Sequence, residues 1–141
     1  MGSAWFAHVD LGGAVAHVDA RGPTYKGSLT GGVKSLFRLP LEGPALPRLV
    51  LTEAAIDALS LAALESLRSD TLYAATGGGM GPGTIAALEA LLVDIAMLPD
   101  ALICSATDAN GPGDRFCRPA PITCEKIRYP VRAASAAPRG L

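Results

Sequence analysis

The chain has 141 residues, half of them apolar and 18% charged, with a net charge of −1. That length predicts one domain, and the composition excludes a disordered chain. The charge does not mark a polybasic nucleic-acid binder, but the basic residues gather in 112–141, so the body is acidic, and an acidic body meets nucleic acid where a divalent cation mediates.

Trp5–Val9 and Ala14–Asp19 flank Leu11-Gly12-Gly13 and predict a β-hairpin closed by a glycine turn. Ala20–Gly32 is a loop by its Gly, Pro, Ser and Thr content, and Lys34–Leu39 a further short strand. Pro40, Pro44 and Pro47 bracket a turn region. Arg48–Thr52 is a continuous apolar run of the kind buried on both faces of a parallel sheet. Ala54–Arg68 follows as a helix, with Ile56, Leu59, Ala63, Leu64 and Leu67 as its apolar stripe. Thr71–Thr76 is a second strand and Gly77–Gly83 a glycine-rich loop. Thr84–Val93 is a second helix, with Thr84 as N-cap and Ile85, Leu88, Leu91 and Leu92 apolar. Ala101–Thr107 is a third strand, and Ile122–Tyr129 has the character of one edge strand.

Residues 48–108 therefore read β-α-β-α-β, which predicts a parallel sheet with right-handed crossovers. The expected fold class is α/β: a small, mostly parallel central sheet with flanking helices, Rossmann-like, plus the N-terminal β-hairpin. The expected organisation is a hairpin and loop region over 1–47, an α/β core over 48–117 and a Pro/Arg/Ala-rich tail over 118–141. Pro119 and Pro121 predict that the chain departs from the α/β pattern after about Phe116.

In such sheets ligands sit beyond the carboxyl ends of the strands. Glu53 follows the first core strand and Asp108 the third, so two carboxylates stand where one hard cation is able to meet them. The bland alternative makes both helix N-terminal acids favoured by the macrodipole. Gly81-x-Gly83-x-x-Ala86 satisfies the loose dinucleotide fingerprint, and backbone N–H groups there are suited to a phosphate. A flexible turn beside the acids is the competing reading. His8 and His17 lie nine residues apart in the hairpin, where cross-turn pairing is feasible and a structural or surface role is the default. Tyr25, Lys26, Lys34 and Arg38 suit either a nucleic-acid groove or a solvated loop. Cys104, Cys117 and Cys124 form no C-x-x-C, and Cys104 is expected to be a buried thiol. That thiol usage predicts a reducing, cytoplasmic setting. Neither a signal peptide nor an apolar run of membrane-spanning length is apparent.

Thr52-Glu53-Ala54-Ala55-Ile56-Asp57-Ala58-Leu59-Ser60 resembles the first motif of the Toprim domain, a glutamate after a hydrophobic strand followed by a helix. Ala54 replaces the glycine common after that glutamate. Thr107-Asp108-Ala109-Asn110-Gly111-Pro112-Gly113-Asp114 is similar to the second, D-x-D, motif, with Asp108 as its first aspartate and Asn110 in place of the second. The likeness covers about residues 48–115 and is nearest to primase-like Toprim proteins of plasmids and mobile elements. It implies Mg²⁺-dependent phosphodiester chemistry on DNA or RNA (nucleotidyl transfer or cleavage), with Mn²⁺ as a substitute ion. Carried over, Glu53 is the general acid or base and Asp108 the metal ligand, with Asn110 and Asp114 completing the ligand set. Gly77, Gly78, Gly79, Gly81 and Lys34 are the expected phosphate or nucleic-acid contacts. The neutral Asn110 keeps open a non-catalytic binding module, and the glycine loop keeps open a small nucleotide-binding protein. The apolar content is compatible with a homo-oligomer, and no membrane partner is expected.

Overall fold

In a computed structural model, residues 2–29 and 31–106 are described, together with the backbone of Thr123–Lys126. Ten elements follow in order: β1 (Ala4–Val9), β2 (Val15–Arg21), β3 (Lys26–Ser28), β4 (Phe37–Leu39), β5 (Arg48–Thr52), α1 (Ala55–Leu64), β6 (Thr71–Ala75), α2 (Pro82–Ala96), β7 (Leu102–Ser105) and β8 (Thr123–Lys126).

They build two sheets. The first is antiparallel, in the order β1-β2-β3, and the second has five strands in the order β4-β6-β5-β7-β8. Within the second, β5 runs parallel to β6 and β7, and β7 parallel to β8; β4 alone is antiparallel, along β6. The fold is α/β. The expected hairpin is present as β1 and β2, with His8 opposite His17. A third strand, β3, occupies part of the expected loop 20–32: Gly27 has no Cβ, and the Tyr25 ring fills the space where one would stand.

The central strands explain the three layers. Every residue of β5 and β6 is buried, as continuous apolar runs require in a sheet covered on both faces. Leu49 and Leu51 of β5, with Leu72 and Ala74 of β6, pack against Ala87, Leu88 and Ile95 of α2. The alternate residues Val50, Tyr73 and Ala75 pack against Ala58, Leu61 and Ala62 of α1. The strand period of two thus places the helices on opposite faces.

Both helices differ from expectation, α1 in its buried face and its end, α2 in its bounds, while Leu88, Leu91 and Leu92 of α2 pack on the core as expected. The stripe expected on α1 is largely outside: Ile56 and Leu64 are exposed, as is Leu67 beyond the helix, while Ala55, Ala58, Leu61 and Ala62 are buried. Small side chains let the helix lie close to a sheet that already carries Tyr73 and Val50. The helix also stops at Leu64, four residues before Arg68. Glu65 is drawn to Arg48, which donates to both carboxylate oxygens at 2.7 and 2.9 Å. Ser66 and Leu67 then turn left-handed, and the Leu67 N–H donates back to the Ala62 carbonyl. α2 starts at Pro82 with Gly81 as N-cap, so Thr84 lies inside the first turn. Its hydroxyl faces the Lys34 and Ser35 carbonyls instead, at 3.5 and 3.4 Å.

Candidate functional site

β5 is the middle strand of the five, and Glu53 stands at its carboxyl end. Thr52 anchors that end: its side chain is buried and its hydroxyl contacts the carbonyls of Ala54 and Ala74, each at 3.1 Å. On one side β6 runs into the glycine loop. The Gly77 and Gly78 N–H groups both donate to the Glu53 carbonyl, at 2.7 and 3.1 Å. Two consecutive N–H groups converge on one oxygen because both glycines take positive φ, 73° and 80°, which residues with a Cβ rarely adopt. Glu53 therefore has its backbone held from the neighbouring strand, while its side chain is half-buried and open to solvent.

On the other side lies β7. Ser105 pairs with Leu51, and the Ala106 N–H donates to the Leu51 carbonyl at 2.9 Å. The chain thus reaches the level of Thr52 two residues before Asp108. Asp108, Asn110 and Asp114 lie outside the described residues, so of the expected oxygen donors only Glu53 is described. Among the described residues no three or more His, Cys, Asp or Glu side chains form a metal-binding group.

Lys34 closes the site from the N-terminal part. A Cβ on Gly77 would stand 2.8 Å from the Lys34 Cε, so the end of the lysine lies on the glycine loop. Lys34 is half-buried and has no carboxylate partner among the described residues. The backbone beside it packs on the start of α2, where a Cβ at Gly83 would come within 2.5 Å of the Lys34 carbonyl. That helix start has no side-chain cap and no acid in its first turn.

The frame (a strand-end glutamate, a clamping glycine loop, a helix with a bare N-terminus, a third strand leading to an aspartate) coincides with a family match. A family model described as Toprim-like matches residues 50–136. The chain belongs to the Toprim-like family. A second model, described as a protein of unknown function (DUF3991), matches residues 1–44, the stretch that holds the antiparallel sheet and Lys34. No curated protein and no solved structure matches the chain significantly.

Toprim-like membership points to a metal-dependent nucleic-acid-processing module. The match runs to residue 136, across much of the Pro/Arg/Ala-rich segment that had been expected to depart from the pattern, and β8 within it pairs with β7 as an edge strand. No helix among the described residues is long and apolar enough to cross a membrane.

Gly77 and Gly78, expected to meet phosphate, have their N–H groups engaged by Glu53. Gly81 is the N-cap of α2, and Gly79 has open space where a side chain would be. Arg38 is half-buried and donates to the Leu41 carbonyl at 3.3 Å. Cys104 is buried, as expected.

Behind Gly77 lies a cluster of which the sequence pointed to His8 and His17 but not to Asp19 and Ser28. His8 and His17 are buried, and both reach Asp19, through Nε2 at 2.9 and 3.0 Å. Ser28 donates to the same carboxylate at 2.7 Å. Burial pushes the Asp19 carboxyl up, but the hydrogen bonds from Ser28, His17 and His8 together with His8's charge outweigh it, and the group lies below the ordinary carboxylate range. The signal for this cluster was present in part. Equal spacing about the Gly12-Gly13 turn pairs position 8 with 17, and the diagonal neighbour on the same face is 19.

Proposed function

We propose that this Toprim-like domain carries out Mg²⁺-dependent chemistry at nucleic-acid phosphodiesters, with Glu53 as the general acid or base and Asp108 as the principal metal ligand. The observation that carries the reading is the clamp on Glu53. Its carbonyl takes two N–H groups from the Gly77-Gly78 turn, so the backbone of the acid is held at the carboxyl end of the middle strand while the residue stays half-exposed. A general acid or base needs that combination of fixed backbone and accessible side chain.

The donor set suits magnesium by its chemistry. Glu53, Asp108, Asn110 and Asp114 offer only oxygen, and neither thiol nor imidazole belongs to the set. When bound, the ion would polarise a phosphoryl oxygen and neutralise charge that develops there. Mn²⁺, another oxygen-preferring ion, would serve in its place. Lys34 supplies a positive charge beside the same loop, without a carboxylate to neutralise it among the described residues. Phosphate contact in the loop falls to Gly79 and Gly81, together with the uncapped start of α2. Gly77 and Gly78 serve by holding Glu53.

The primase-like character belongs to this proposal too, resting on the two motifs around Glu53 and Asp108. The neutral Asn110 favours a second reading, a binding module that takes metal and nucleic acid without turnover, because one carboxylate fewer weakens the hold on the cation. One experiment separates them. Labelled single- and double-stranded DNA and RNA are incubated with the full chain and Mg²⁺, with EDTA as control. Cleavage or nucleotide addition that is lost in Glu53→Gln supports the enzyme; Mg²⁺-dependent retention of intact strands supports the binding module; no Mg²⁺-dependent effect overturns both.

A further inference from the structure

His8 has no solvent exposure, and both its ring nitrogens face acceptors. Nδ1 is 3.0 Å from the Ser35 carbonyl oxygen, and Nε2 is 2.9 Å from Asp19 Oδ2. A carbonyl and an ionised carboxylate have no hydrogen to give, so both bonds form together only when both ring nitrogens carry one. His17 differs. Its Nε2 meets Asp19, whereas its Nδ1 is buried without a partner among the described residues.

The His8–Asp19 pair lies directly behind the glutamate clamp. The space beside the Gly77 Cα is filled by His8 Cε1, Lys34 Cε and Asp19 Oδ2, which a Cβ there would meet at 2.7, 2.8 and 3.2 Å. Gly77 in turn donates to the Glu53 carbonyl. A continuous line of contact runs from Asp19 through His8 and Gly77 to Glu53. A simple joint between the sheets would not need it. Phe6 on Phe37, edge to face at 6.1 Å, and the bridge between Val9 and Leu36 already join the two parts. Burying a hydrogen-bonded polar pair costs desolvation that apolar packing avoids.

We propose that residues 1–44 form a wall of the Glu53 site, with His8 and Asp19 as positioning residues that act through Gly77. Among the described residues, the titratable and charged groups facing His8 are Asp19 and His17 from β2 and Lys34 from the segment before β4; β4 and α2 bring Phe37 and Thr84 to the same region. The importance of this wall for catalysis rests on the proposed role of Glu53. The contact itself does not, and it is testable without metal or substrate.

The test compares backbone amide spectra of the full chain, His8→Gln and Asp19→Asn by nuclear magnetic resonance at one pH. The expected result is Gly77, Gly78 and Glu53 amide resonances that shift in both variants, with the Arg48 and Leu102 amides at the far strand ends unmoved. Asp19→Asn serves alone if His8→Gln does not fold. Gly77 and Gly78 amides that keep their wild-type positions in a folded variant overturn the proposal. With Mg²⁺ and a labelled oligonucleotide, His8→Gln lowers kcat several-fold and leaves KM, whereas a purely structural role lowers both in proportion to the folded fraction. Absence of Mg²⁺-dependent chemistry would sink the proposed function and leave the amide shifts standing.

Discussion

Placing a methyl group on Gly77 tests the packing of the site in one step. Gly77 has φ 73°, so alanine there enters the left-handed region, at roughly 1–2 kcal/mol. The added Cβ also meets His8 Cε1 at 2.7 Å, Lys34 Cε at 2.8 Å and Asp19 Oδ2 at 3.2 Å. The lysine end moves easily. The imidazole does not, because it is fully buried and held at both nitrogens. Forced repacking of that kind adds about 1–3 kcal/mol. Against this, alanine restricts the unfolded chain and returns about 0.4–1 kcal/mol. The expected net loss for Gly77→Ala is about 2–4 kcal/mol, read by urea denaturation, and a fall in Tm of roughly 8–16 °C for a chain of this size. Gly78→Ala is the internal control. It has φ 80° but nothing within 4 Å of its Cβ, so only the backbone strain applies, and the net loss is about 1 kcal/mol or less. Equal losses for the two variants would refute the contact between Gly77 and the His8–Asp19 pair.

Three further outcomes follow from other parts of the molecule. Lys34→Met should weaken oligonucleotide binding and flatten its salt dependence, by about 0.7 in the slope of log K against log salt for one lost contact to a single strand; an unchanged slope removes Lys34 from the phosphate site. The folded Asp19 carboxyl lies below its unfolded value of 3.8, so the stability it contributes is complete above that pH and is lost as pH falls through the folded value. Asp19→Asn should therefore destabilise most at neutral pH and least near pH 3, measured by urea unfolding at both. Arg48→Ala leaves Glu65 without its bidentate partner, with both side chains largely buried, and should lose about 3–5 kcal/mol without altering Mg²⁺ affinity, because the pair lies at the opposite ends of the strands from Glu53.

The α/β frame was legible because Leu49–Leu51 and Leu72–Ala75 are apolar without interruption, and only a strand covered on both faces tolerates that. Glu53 was legible as the residue that ends the first run. The buried face of α1 and the helix ends were not. Counting leucines put Ile56 and Leu64 inside, whereas alanines give the closer approach to the sheet, and the end of α1 is set by Arg48 seventeen residues before Glu65. β3 was hidden because a three-residue strand carrying Gly27 reads as loop. The wall behind Gly77 was least visible. The hairpin register brings His8 and His17 opposite each other, but nothing local announces that a glycine about sixty residues later will close on them. Long-range contact decides that position, and no sequence period encodes it.

Paramagnetic broadening by Mn²⁺ tests the central claim most directly. Mn²⁺ titrated into the ¹⁵N-labelled chain should broaden first the amides of Glu53, Gly77, Gly78 and Asp108, with Mg²⁺ competing, and Asp108→Asn should remove the effect. Broadening centred elsewhere, or equal in wild type and Asp108→Asn, would contradict a metal site at the carboxyl ends of these strands.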